Sequence, residues 1–334
     1  MSDLVGTVVI TGASAGIGRA AAQAFARRGW PVTLVARGAE GLDAAREAIE
    51  ALGGRAITVE ADVADPDAVE RAADRAEAEL GPIRIWVNDA MVTAFSPLWE
   101  MSAEEFRRIT EVVYLGTVHG TMAALKRMRP RNRGTVVQVG SAVAYRAIPL
   151  QSAYSGAKFA IRGFTESVRT ELAHEGSQVK LSMVQLPAVN TPQFDWAVNR
   201  MRRRPKPIPP VYQPEAVARA IVRAGERGPR ELWVGRSTVQ TILGNTLAPE
   251  AMDRLLARSG YSAQQAAEAE ADHHPDNLDA PLPGAHATHG RFDREAENRV
   301  LILDPSMLRA GFGVGLDVAA RGLEMMRRRF PLGR

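Results

Sequence analysis

A glycine-punctuated turn near the start of the chain, Thr11-Gly12-Ala13-Ser14-Ala15-Gly16-Ile17-Gly18, sets the strongest limit on what this sequence can fold into. It follows the β-branched run Thr7-Val8-Val9-Ile10, which suits a buried parallel strand. An alanine-rich helical stretch runs from Arg19 to Arg28, Gly29 closes it, and Val32-Thr33-Leu34-Val35 reads as a second strand. Glycines between a strand and a helix start let the backbone approach a pyrophosphate, whose charge the free amides and the helix dipole stabilise. Strand, glycine turn and helix in this order are the context a dinucleotide-binding unit demands. A tight structural turn is the plainer alternative.

Arg37 stands just past the second strand, where such a unit meets the adenosine ribose. An acidic residue there would bind the 2′-hydroxyl of NAD, whereas arginine accommodates a 2′-phosphate, so NADP(H) is favoured over NAD(H). The pattern then repeats. A helix over 41–52 leads to a strand over 56–59 that ends at Ala61-Asp62-Val63. An amphipathic helix over 65–80, with Asp65-Pro66 at its start, leads to a strand over 83–87 and then Asn88-Asp89-Ala90-Met91. A long helix over 102–129 opens on a capping box, Ser102 with Glu105, and precedes a strand over 135–139. A helix over 152–174 and a strand over 179–184 complete the series before Pro187. Unbroken βαβ alternation predicts an α/β protein with one doubly wound, Rossmann-like parallel sheet flanked by helices.

Between the fifth strand and the next helix lies a second chemical signal, Ser141 followed by Tyr154 and Lys158. Tyr154 and Lys158 are four apart and share one helix face. A phenol titrates near pH ~10, and a neighbouring ammonium favours the phenolate and lowers that value. Taken alone, such a pair is far more often an ordinary helix-surface contact.

Composition narrows the classes. The chain has 334 residues, 46% apolar and 24% charged, with a net charge of +4 and a pI near 9.7. The arginines are dispersed apart from 202–204 and 327–329, so nucleic-acid binding does not follow from charge. The absence of cysteine removes disulfides, thiolate metal sites and cysteine nucleophiles. No metal site is expected. The sequence enters a strand by Thr7 without a basic and apolar leader, and no stretch approaches the ~20 apolar residues of a membrane span. A cytoplasmic location is expected.

TGASAGIG, Asp62-Val63, Ser141 and Tyr154-x-x-x-Lys158, in this order, resemble the short-chain dehydrogenase/reductase family over roughly residues 4–240. The resemblance implies Tyr154 as acid/base, Lys158 lowering the tyrosine pKa and binding the nicotinamide ribose, and Ser141 orienting the substrate oxygen. It implies that Gly12, Ser14, Gly16, Ile17 and Gly18 cradle the cofactor with Arg37, and that Asp62 and Val63 border the adenine. Asn88 and Ala90 would lie on the adenosine side, and Pro187 with Val189 to Thr191 at the nicotinamide carboxamide. It further implies a small-molecule carbonyl or alcohol substrate, and a homodimer or homotetramer built through the helices near 102–129 and 152–174. Three departures stand out. Met91 replaces the glycine of the usual Asn-Asn-Ala-Gly, Val113 replaces an asparagine that normally anchors a proton-relaying water, and the loop after Pro187 lacks its usual glycine.

Domain organisation is read as a single catalytic domain over 1–260, with a proline-rich, basic lid near 191–214, and an extension over 261–334. Phe194 and Trp196 are candidate lid lining, and a solvated loop is the alternative. A helix from 215 to 225, a last strand at 231–234 and a helical stretch through 256 follow. In the extension, 263–300 reads as a polar loop or linker, and 305–330 as an amphipathic helix that docks on protein or, with Arg327 to Arg329, on a membrane surface. The functional expectation is an NADP(H)-dependent oxidoreductase interconverting a carbonyl and an alcohol. A cofactor-binding sensor or scaffold with little catalysis is the alternative, motivated by Val113, Met91 and the extension.

Overall fold

The structure, a computed structural model, describes residues 6–271 and 275–306. The helix expected over 305–330 falls almost wholly outside the described residues, as does a short piece, 272–274, of the stretch read as a polar loop.

The main-sheet strands in chain order are β1 (Thr7–Thr11), β2 (Val32–Ala36), β3 (Ala56–Glu60), β4 (Ile83–Asn88), β5 (Thr135–Ser141), β6 (Lys180–Leu186), β7 (Glu231–Val234) and β8 (Ile302–Leu303). Their spatial order is β8-β7-β6-β5-β4-β1-β2-β3. Every pairing is parallel except the last, β7 with β8, which is antiparallel. The inner strands are buried on both faces and rich in valine and isoleucine, as a doubly covered sheet requires.

The helices are α1 (Gly16–Ala26), α2 (Ala39–Glu50), α3 (Pro66–Leu80), α4 (Ala103–Thr110), α5 (Gly116–Met128), α6 (Ser152–His174), α7 (Pro214–Arg227), α8 (Arg236–Leu247) and α9 (Pro249–Ala263). One core joins the sheet to α1, α2 and α7 through residues such as Phe25, Ile49 and Ile221. The other joins the opposite face to α3, α4, α5 and α6 through Val69, Ile109, Met128 and Ile161. The chain reverses direction across the sheet between β1 and β4, and the crevice outside their carboxyl ends is where an α/β sheet binds ligands.

The long helix expected over 102–129 is divided by a turn of π-helix over Glu111–Leu115, with Val113 fully buried inside it. The stretches read as lid and polar loop carry short strands of their own. Arg203–Pro205 pairs antiparallel with Gln265–Ala269, and Val211–Tyr212 lies between Ala188–Val189 and Ala296–Glu297. Residues beyond 260 therefore run back across the body, and β8 extends the main sheet at its edge. Among the described residues no helix is long and apolar enough to cross a membrane.

Candidate active site

The glycine turn lies at the carboxyl end of β1, and its geometry explains its composition. Gly12 has φ +73°, and a Cβ there would sit 2.8 Å from the Ala90 Cα. A Cβ on Gly18 would meet the Gly12 carbonyl oxygen at 2.3 Å, so the first turn of α1 packs directly on the loop. The N-cap of α1, Ala15, provides no side-chain hydrogen bond to the first turn. In that turn the Gly18 amide donates to the Asp89 carboxyl, so a pyrophosphate would have to use the amides before it.

A cleft of about 160 Å³ opens here, lined by Gly12, Ser14, Gly16, Ile17, Arg37, Asp62, Val63, Ala90 and Thr191, all expected from the sequence. Asp62 is already engaged, taking the Ala64 amide at 2.9 Å and pairing with Arg108. Arg37 donates to the carbonyls of Asn277, Leu278 and Asp279. Asn88 differs from expectation: it is buried and turned into the body of the protein. Its Oδ1 accepts from the Trp86 indole at 2.8 Å, and its Nδ2 donates to Gln138 Oε1 at 2.9 Å and Thr121 Oγ1 at 3.2 Å. It holds β4, β5 and α5 together and does not line the cleft.

Beside the cleft is a larger cavity of about 520 Å³ that contains Ser141, Tyr154, Lys158, Pro187 and Val189. The two spaces share Ile17, Asp89, Met91, Thr191 and Gln193 as walls, so a ligand can run from one into the other. Ser141 ends β5, where its Oγ accepts the Val143 amide at 3.3 Å and a hydrogen bond joins it to Tyr154. Tyr154 and Lys158 lie one turn apart on α6. The Lys158 Nζ is 5.5 Å from the centre of the tyrosine ring and donates to the Val139 carbonyl at 2.7 Å.

The charge pattern differs from the one the family resemblance implies. Burial pushes the Tyr154 phenol above its usual value and the Asp89 charge pushes it further, while the Ser141 hydrogen bond opposes both. The lowering by Lys158 that the resemblance implies does not appear, since burial and Asp89 dominate the phenol. Burial raises the Asp89 carboxyl to about 7 against the pull of Lys158 and of the Gly18 amide that donates to it. Burial likewise lowers Lys158 to about 8, with Asp89 opposing. Asp89 and Lys158, which line the same cavity, are thus each moved towards neutral pH by burial.

Asp89 is the functional position that sequence reasoning missed. The spacing showed an acid after Asn88, but not that it is buried beside Lys158. A second omission is the wall formed by Asn277, Pro281, Leu282 and His286, which belongs to the polar stretch and covers the cleft from outside. The lid aromatics separate. Phe194 is buried between Phe95 and Phe292, at ring distances of 5.9 and 5.6 Å, and also lines the larger cavity. Trp196 turns to the nucleotide cleft and packs on His286 at 4.9 Å.

With this geometry, comparison with known proteins is decisive. Residues 6–201 match the short chain dehydrogenase family. An uncharacterised oxidoreductase of Bacillus subtilis (strain 168), YxnA, is 34% identical over 261 residues, covering 78% of this chain and 73% of that protein. A metagenomic short-chain oxidoreductase solved in complex with NADP superposes with a TM-score of 0.57 at 28% identity, covering 69% of this chain and 97% of its own. A short-chain dehydrogenase/reductase from Burkholderia phymatum, in complex with NAD, shares the fold with a TM-score of 0.66 at 24% identity, covering 76% of this chain and 97% of its own. The chain belongs to the short-chain dehydrogenase/reductase family, as an oxidoreductase acting on CH–OH groups with NAD(P).

Proposed function

We propose that this enzyme is an NADP(H)-dependent reductase that converts an apolar ketone or aldehyde to an alcohol in the larger cavity. The observation that carries the proposal is the meeting of the two spaces. The glycine-turn cleft opens across Asp89 and Met91 into a cavity where Ser141, Tyr154 and Lys158 face one another. The dinucleotide, when bound, supplies or takes up hydride. Ser141 and Tyr154 hold the substrate oxygen with their hydroxyls, which stabilises negative charge as it develops there. The Tyr154 phenol, held protonated by burial and by Asp89, gives its proton to that oxygen. Lys158, lowered to about 8, can pass a proton towards the tyrosine near neutral pH. The apolar substrate class rests on the walls of Val143, Ile148, Phe194, Ile208 and Leu256. NADP(H) preference rests on Arg37 at the end of β2, with no acid in that place. The family's usual helix pairing and the exposed apolar residues on α5 and α6 support a homo-oligomer.

The test is oxidation of NADPH, run beside NADH, against a panel of aliphatic and aromatic carbonyls. Wild type should turn over apolar members, with NADPH giving the higher kcat/KM. Tyr154→Phe should lose turnover by about 10²–10⁴-fold, the range of a general acid, while fluorescence still reports NADPH binding. Wild-type turnover in that variant removes the mechanism. Binding without turnover of any carbonyl or alcohol removes the enzymatic role of the cavity.

A further inference from the structure

The polar stretch read as a linker is laid over the nucleotide cleft as a strap, residues 277–292, and two of the residues that hold it, Gly16 and Arg37, line that cleft themselves. Arg37 donates to the carbonyls of Leu278 and Asp279, each at 3.1 Å, and also to that of Asn277. Arg108 adds a bond to Leu278 at 3.2 Å. Glu40, in the first turn of α2, accepts the Gly284 amide, and Arg19 on α1 donates to the His286 carbonyl. The Gly16 amide of the glycine turn donates to the Ala287 carbonyl at 3.2 Å. The two ends are sunk in the protein, with Leu278 4% and Phe292 6% exposed. The Phe292 amide is held by Asn190 Oδ1 at 3.0 Å, and Asn190 Nδ2 donates to Asp293 at 2.8 Å.

Between these anchors, Asn277, Pro281, Leu282 and His286 form the outer wall of the cleft, opposite Gly12, Ser14 and Val63. The cleft, about 160 Å³ on its own, is partly open at its rim and joins the larger cavity across shared walls. A dinucleotide seated across both spaces would have its adenosine end beneath the strap, so lifting the strap would widen the way in and out. Each bond from the nucleotide walls to the strap must break for that to happen.

We propose that residues 277–292 are a latch that closes over the adenosine half of the bound dinucleotide, so that this chain exchanges its cofactor slowly. The proposal rests on the reading of the cleft as a dinucleotide site. Gly38 and Arg37 on one side and Pro281 and His286 on the other are its jaws.

The absence of cysteine from the sequence gives a clean test. A Cβ on Gly38 would lie 3.2 Å from the Pro281 Cβ, close to the ~3.5–4.5 Å of a disulfide. Gly38 has φ −103°, which any residue adopts. In the full-length Gly38→Cys/Pro281→Cys protein, NADPH release is followed by stopped-flow fluorescence before and after oxidation, with the single-cysteine variants as controls. Oxidation after loading should slow NADPH release at least ten-fold. Oxidation before loading should slow its uptake by a similar factor, and reductant should restore both. Failure of the disulfide to form, or unchanged exchange once it has formed, overturns the latch. Glu40→Ala with His286→Ala gives an independent arm. Release should become several-fold faster and binding weaker, whereas tighter binding would mark the strap as a competitor and overturn the proposal. Wild-type protein that binds no NADPH or NADH would instead overturn the dinucleotide reading itself.

Discussion

Asp89 changes what the Ser141, Tyr154 and Lys158 group is set up to do. A buried carboxylate costs much less when an ammonium stands near it, and each of the two holds the other partly charged. The same negative charge disfavours a phenolate at Tyr154, so the arrangement favours proton donation over proton abstraction. Asp89→Asn keeps the shape and removes the charge. Asp89 raises Lys158, so in the variant the ammonium loses its proton at lower pH than in the parent. The alkaline fall in kcat for carbonyl reduction should then move towards acid. Asp89 also raises Tyr154, so alcohol oxidation at the same pH should hold or increase while reduction falls. Steady-state pH profiles in both directions check this, and a parallel loss in both directions with unmoved profiles would reduce Asp89 to a packing residue. The three groups proposed to react were legible in the sequence because local rules place them: a strand end, then two residues one turn apart on a helix. Asp89 was not legible, because its burial and its partners, the Gly18 amide and Lys158, are brought to it from distant parts of the chain.

At the level of elements, the alternation of apolar runs and capped helices reveals the sheet, and most boundaries follow from side-chain chemistry. Asp65 caps α3 by accepting the Asp67 amide at 2.9 Å, and the Ser102–Glu105 box closes the start of α4. Periodicity did not reveal the π turn over Glu111–Leu115, since five residues are too few to display a changed period. The short strands after residue 188 escaped for a related reason. They are two to five residues long, and distant segments supply their partners. Val113 sits at the centre of the π turn, at 0% exposure in an apolar cluster with Ile109 and Val112. Its carbonyl accepts the Thr117 hydroxyl at 2.8 Å. Valine is therefore the residue that this packing needs, and the family asparagine has no place here. Val113→Asn should lower unfolding stability by about 1–3 kcal/mol, the cost of a buried amide without partners, without raising turnover. Urea denaturation with parallel kinetics measures it. Unchanged stability with faster reduction would mean that the side chain does reach a proton path.

At the level of the whole molecule, the cleft and cavity lie at one end of the sheet, while α4, α5 and α6 cover one face with apolar residues left in water. Met122 on α5 is 62% exposed and Phe159 on α6 43%, with Phe106 and Leu115 each at 38% nearby in sequence. These helices pack against one another on the same side of the sheet, so the exposed residues form a surface that a second copy can cover. A symmetric pairing of this face would bury Met122 and Phe159 and stiffen α6, which carries Tyr154 and Lys158. Replacing both by glutamate places unpaired carboxylates in that contact, at a cost large enough to separate the subunits. The wild-type chain should sediment as a dimer or tetramer, and Met122→Glu/Phe159→Glu as a monomer with the same far-ultraviolet circular dichroism. If the helices of the pair hold α6 in place, the monomer should also lose several-fold in kcat while binding NADPH as before. An unchanged sedimentation coefficient would move the contact to another face, and a monomeric wild type would remove it.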